Sequence, residues 1–145
     1  MNTWTRIIDT PDGKFTARFS EAGLCALAFP AFGASCRSPS PPADARRPPA
    51  ALTLWLRQTA CAVRCALTGR EPTERPPMDL SGGTAFQRAV WLALAEIPAS
   101  QTRTYAELAA RVHRPRACRA VGQACGANPI PLLIPCHRAV AVGGG

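Results

Sequence analysis

Cys136 and His137 stand side by side in "LIPCHR", residues 133–138, and a thiol next to an imidazole is the pair in this chain best suited to covalent chemistry. A cysteine attacks as the thiolate, which forms readily beside a cation, a histidine or a helix N-terminus. His137 and Arg138 would supply such help, with a carboxylate elsewhere to orient the imidazole. No Asp or Glu follows Glu107, so the sequence offers no residue for that last role. Adjacent side chains of an extended segment point to opposite faces, so His137 need not touch the thiol directly, and a bridging water requires that the backbone bend. The same thiol, behind an apolar run and a proline, also reads as a small buried hydrophobe. Local sequence leaves both readings standing.

A second constellation lies upstream. In "RACRAVGQACG", residues 116–126, helical spacing puts Cys118, Val121 and Cys125 on one stripe and Arg116, Arg119 and Gln123 on another. The first stripe is small and apolar, which assigns Cys118 and Cys125 to packing. The second carries side chains that either reach phosphates and base edges or simply face water.

These residues need elements to hold them. Thr84 with Gln87, and Thr104 with Glu107, have the spacing of capping boxes. The first opens a helix with Phe86, Val90, Leu94 and Ile97 on one face, stopped at Pro98. The second opens a short helix with Leu108 and Val112 inside. "HRPRA" then turns the chain into a third helix that ends at Gly126, and two short helices joined this way resemble a helix-turn-helix. Nearer the N-terminus, "TRIIDTPDGKFTARFSEAGLCALAFPAF" reads as two or three antiparallel strands broken at "PDG" and "EAG". "SPSPPADARRPP" reads as an irregular surface loop, and "AALTLWLRQTACAVRCALTG" as a helix stopped at Gly69. "REPTERPPMDLSGG" is expected to be an extended linker.

Composition narrows the classes. At 145 residues the chain suits one domain or two very small ones, and its 47% hydrophobic content is enough for a core. No apolar run approaches the ~20 residues of a membrane span. The first residues carry no secretory pattern, so a cytoplasmic location is expected. Seven cysteines, odd in number and irregular in spacing, read as free thiols, with Cys61 and Cys65 as small core residues on one helical face. The net charge is +8; residues 81–145 hold seven basic residues against only Glu96 and Glu107. That excess favours a polyanionic partner.

"GTAFQRAVWLALAEIP", "TYAELA", "RPRACRAVGQACGANP" and "IPCHR" occur in this order and spacing, and together they resemble the 6-O-alkylguanine-DNA alkyltransferases, also called methylated-DNA–protein-cysteine methyltransferases. The resemblance runs almost continuously from Gly83 to about Val140 and is less specific over the first eighty residues. It implies an α+β protein: residues 1–80 a small antiparallel-sheet-plus-helix domain of ribonuclease-H-like type, residues 81–145 a winged helix-turn-helix-like DNA-binding domain lacking its C-terminal end. It further implies that the protein binds duplex DNA from the minor groove and rotates an alkylated guanine out of the stack. Cys136 would attack the alkyl carbon, with His137 as the water-mediated base. Arg119 would fill the vacated space, Tyr105 would crowd the neighbouring phosphate, Arg116 and Gln123 would contact DNA, and Asn128 would be a structural hinge. A 4-oxygen-alkylated thymine is a second substrate on this reading.

The resemblance implies a single alkyl transfer per molecule, by a monomer, with no cofactor and no metal. Relatives continue past "PCHR" into a substrate loop, a carboxylate that orients the histidine and a last helix, for which no residue here is assigned. His113 stands where relatives commonly have glycine, and Cys118 where they have alanine or serine. The alternatives are a non-catalytic reader of alkylated DNA, an inactive truncated member of the family, or a helix-turn-helix regulator. Regulatory relatives carry an extra cysteine-rich metal-binding domain, for which this chain has neither the length nor the spacing.

Overall fold

The computed structural model describes residues 2–30 and 47–141. The proline- and serine-containing stretch expected to loop over the surface falls largely outside them, as do the closing glycines.

Alternating apolar residues and two turns build the first unit. Strands β1 (Trp4–Thr10), β2 (Gly13–Phe19) and β3 (Leu24–Ala28) form an antiparallel sheet in that order. Trp4, Ile8, Phe15, Ala17, Phe19, Leu24 and Leu27 are buried, and burying each phenylalanine is worth roughly 2–3 kcal/mol. The outer edge of β3 is covered by later chain. Leu24 N donates to Pro77 O at 2.8 Å, Asp79 N to Leu24 O at 2.7 Å, and Leu27 N to Pro129 O at 2.9 Å. Gly23 permits that approach: its φ is 147°, and a Cβ there would stand 2.2 Å from Pro77 O.

Helix α1 (Leu52–Leu67) follows, ending at Thr68 before Gly69 at φ 74°. Leu52, Thr59, Ala62 and Val63 form its buried stripe. Cys61 and Cys65 do share a face of α1, but both are only half-buried, so the expectation of core cysteines is corrected: the helix turns its alanine and valine inward instead.

Both capping boxes form as expected. Thr84 Oγ1 accepts from Gln87 N at 3.1 Å and Gln87 Oε1 from Thr84 N at 2.9 Å, opening α2 (Ala85–Ala95). Thr104 Oγ1 accepts from Glu107 N at 3.1 Å and Glu107 Oε2 from Thr104 N at 2.8 Å, opening α3 (Tyr105–Arg111). Val90, Leu94 and Ile97 are buried and Phe86 half-buried, so the expected inner face of α2 is present. The buried Trp91 Nε1 donates to Ala124 O at 2.8 Å, tying α2 to α4 (Cys118–Gly126).

Between α3 and α4 the chain reverses at His113, whose φ of 61° is left-handed. That conformation explains why glycine suits the position. Helix α4 begins at Cys118 with Ala117 as its cap, so Arg116 lies in the turn and not on the helical stripe with Arg119 and Gln123. A two-residue strand β4 (Arg103–Thr104) pairs in parallel with β5 (Ala139–Val140). Buried side chains from the sheet, α1 and the helical part form one cluster, and the class is mixed α+β. Among the described residues no helix is long and apolar enough to cross a membrane.

Candidate functional site

The cysteine segment is bent, the condition under which a water can bridge the thiol and the imidazole. Pro135 has φ −80° and ψ 72°, and Cys136 N donates back to Ile134 O at 2.8 Å, which makes an inverse γ-turn. A 3-10 turn over Cys136–Arg138 follows at once, with Arg138 N donating to Pro135 O at 3.0 Å. Two tight turns in succession leave Cys136 half-buried against the core and His137 exposed.

Three tethers hold this turn. Asn128 Nδ2 donates to Ile134 O at 2.8 Å while its Oδ1 accepts from Ile130 N at 2.9 Å, so one carboxamide bridges both ends of the loop that leads from α4 to the cysteine. On the far side β5 pairs with β4, placing Val140 opposite Thr104 and hence the chain after Cys136 beside the start of α3. Arg138 reaches back to the chain just past α2, its Nη1 donating to Ile97 O at 2.6 Å and standing 3.6 Å from Glu71 Oε1. This corrects the sequence reading of Arg138 as a cation for the thiolate. Its guanidinium, 17% exposed, is committed to a carbonyl and a carboxylate.

The electrostatics separate the two neighbouring thiols. Burial, and then the nearby Cys136 thiol, push Cys125 up to about 11, so it stays protonated at neutral pH. Partial burial of the His137 imidazole, and then the Arg138 charge, hold its pKa below the usual histidine value. The ring is therefore neutral at pH 7 and able to accept a proton. Among the described residues no side chain hydrogen-bonds that ring, and no group of three His, Cys, Asp or Glu side chains is placed to hold a metal ion.

The remaining expected residues fall on or beside the helix-turn-helix. Arg119 and Gln123 are exposed on α4, one turn apart, and Arg116 is exposed in the turn before it. None of the three side chains has a hydrogen bond or ion pair with a described residue. Arg114, also exposed in that turn, was not singled out in sequence; only its place in a basic turn pointed to it. Tyr105 is half-buried at the first position of α3, and its ring lies over Gly122 of α4, where an added Cβ would meet Cε2 at 3.8 Å. The structure thus brings Cys136, His137, Asn128 and the start of α3 together, with Arg119 and Gln123 on the open side of α4.

These features define a class: a helix-turn-helix protein that carries a half-buried thiol and a neutral imidazole on a tethered turn. A family model described as "6-O-methylguanine DNA methyltransferase, DNA binding domain" matches residues 85–145. The chain is 53% identical over 62 residues to a methylated-DNA--protein-cysteine methyltransferase of Methanosarcina mazei, covering 43% of this chain and 39% of that protein. It is 39% identical over 132 residues to the regulatory protein ada of Salmonella typhimurium, covering 88% of this chain and 36% of that one. The match therefore spans about two fifths of the length of these curated relatives. Among solved structures, Mycobacterium tuberculosis OGT-R37K superimposes with a TM-score of 0.71 at 30% identity, over 99% of this chain and 82% of that one. OGT from the same organism in complex with DNA gives 0.69 at 32% identity, over 97% and 80%. The chain belongs to the 6-O-methylguanine-DNA methyltransferase family.

Proposed function

We propose that this protein repairs DNA by taking an alkyl group from the 6-oxygen of guanine, and secondarily from the 4-oxygen of thymine, onto its own Cys136 Sγ. The observation that carries the reading is the doubly bent Cys136–Arg138 turn, tethered by Asn128 and Arg138 and carrying a neutral imidazole next to the thiol. A proton passes from Cys136 through water to His137. The thiolate then attacks the alkyl carbon, a sulfur–carbon bond forms, and the carbon–oxygen bond breaks. Its electron pair remains on the base, which takes up a proton. The thioether is stable, so each molecule reacts once.

Chemistry on a base requires taking it out of the stack, at a cost of about a few kcal/mol. Arg119 fills the gap, stacking and charge offsetting part of that cost. Tyr105, at the start of α3, crowds the adjacent phosphate, and Arg116 and Gln123 hold the backbone and base edges. Asn128 is the hinge between α4 and the cysteine turn. On this reading residues 1–80 and 81–145 are two domains sharing one core, and the protein acts as a cytoplasmic monomer on duplex DNA without a cofactor. Binding without transfer is the competing reading, and one experiment separates the two.

Incubation with a duplex containing 6-O-methylguanine, read by intact mass, tests the proposal. The expected outcome is a gain of one methyl group that Cys136→Ala abolishes. DNA binding with no mass gain by the folded protein would establish the reader instead.

A further inference from the structure

We propose that Glu71 is a positioning residue for the reaction at Cys136: from the linker between α1 and α2 it holds the Arg138 guanidinium against the end of α2 and thereby fixes the turn that presents the thiol. The proposal rests on the alkyl-transfer reading above.

A mostly buried guanidinium must find acceptors and a counter-charge, because its donors cannot all reach water. Arg138 finds one acceptor in Ile97 O, 2.6 Å away, and its counter-charge in Glu71, 3.6 Å away. The same carboxylate has two further partners. Glu71 Oε1 accepts from Ala99 N, just past the end of α2, and Oε2 accepts from Arg75 Nη2 at 3.0 Å. Glu71 therefore joins three pieces of chain: the linker, the segment after α2, and the cysteine turn. Direct packing supports the same contact. Pro72 of the linker lines one small pocket, about 20 Å³, together with Leu132, Pro135 and Arg138.

Arg138 closes the three-residue turn that Cys136 opens, so movement of its side chain is transmitted to the thiol through a single intervening residue. Without Glu71 the guanidinium keeps Ile97 O but loses its charge partner, and the turn has a wider choice of positions. Misplacement of a nucleophile by about 1 Å can cost a hundredfold in rate. The Glu71–Arg75 pair supplies an internal control. Both of its side chains are well exposed, at 39% and 45%, and such surface pairs contribute little.

The test uses the full chain and a saturating 6-O-methylguanine duplex. Glu71→Ala is expected to lower the single-turnover rate constant about tenfold while DNA affinity changes less than about twofold. Glu71→Gln, which keeps an oxygen for Ala99 and Arg138, should recover part of that loss and serves as the deciding variant if the alanine protein does not fold. Arg75→Ala should change the rate less than about twofold. In an Arg138→Met background, removing Glu71 should cost nothing further, because the two act as one unit. An unchanged rate in the Glu71 variants overturns the proposal, as does an equal loss in both backgrounds. If the wild-type protein transfers no methyl group, the alkyl-transfer reading fails by itself. Positioning is then decided by the rate at which iodoacetamide modifies Cys136, located by peptide mass. A change of about threefold or more in Glu71→Gln that vanishes in the Arg138→Met background supports it, and any other pattern overturns it.

Discussion

The helix-turn-helix and the cysteine turn lie next to each other yet are held in opposite ways. The α3 start is built by residues three apart, Thr104 and Glu107 satisfying each other's backbone within one turn of helix. Its partner α4 then shows Arg119 and Gln123 to solvent with no described partner. The cysteine turn has almost no local support beyond its own two tight turns. Its shape comes from Asn128 six residues before Ile134, from Ile97 forty-one residues before Arg138, and from Glu71 in the linker. On the proposed reading, the surface that meets DNA is left open on self-sufficient helices, whereas the thiol that accepts the alkyl group is fixed by distant parts of the fold. Loss of a local support should thus cost stability modestly, and loss of a distant one should alter the site.

Asn128→Ala tests the distant kind most severely. It removes both hydrogen bonds across the loop, leaving the Ile130 amide unpaired and Ile134 O with only the Cys136 amide, a loss of about 2 kcal/mol in urea denaturation. If its cost falls below that of losing an ordinary surface contact, the contrast fails. A chemical prediction on the same turn comes next. Because the His137 pKa lies below the usual 6.5, the neutral imidazole is the majority form at pH 6.5, and the transfer rate there should exceed half its plateau. At lower pH the rate should fall about tenfold per pH unit as the ring takes up a proton, with a midpoint below 6.5. Single-turnover rates between pH 5 and 8 would show it; a midpoint above 6.5 contradicts the neutral-imidazole assignment. The smallest effect belongs to the local region and has the opposite sign. His113→Gly relieves a left-handed conformation in the exposed turn and should raise stability by up to about 1 kcal/mol, seen as a higher Tm with an unchanged transfer rate.

Legibility followed the same division. The N-terminal antiparallel strands, read as two or three, α1 with its stop at Gly69, and both capping boxes were readable because each is specified by residues within a few positions of one another. Arg116 illustrates where that reading slipped. Extending the α4 periodicity backwards placed it on the helix, but Ala117 caps α4 without a side-chain hydrogen bond, so no local signal marked the boundary. Cys61 and Cys65 were read as core because cysteine packs well. Which side of α1 turns inward depends on the sheet it faces, and periodicity cannot supply that.

The sequence by itself singled out Cys136 as the proposed acceptor, through four ordered motifs that resemble the family, and marked the helices that precede it. Only the tertiary structure decided how that thiol is held. It bent an apparently extended segment into two successive turns, and took Arg138 away from the thiolate and gave it to Ile97 O and Glu71. It also left the His137 ring neutral. The reason is range: capping and amphipathic spacing act within one or two helical turns, whereas a charge's partner and a turn's tether are chosen by which distant chains the core brings together.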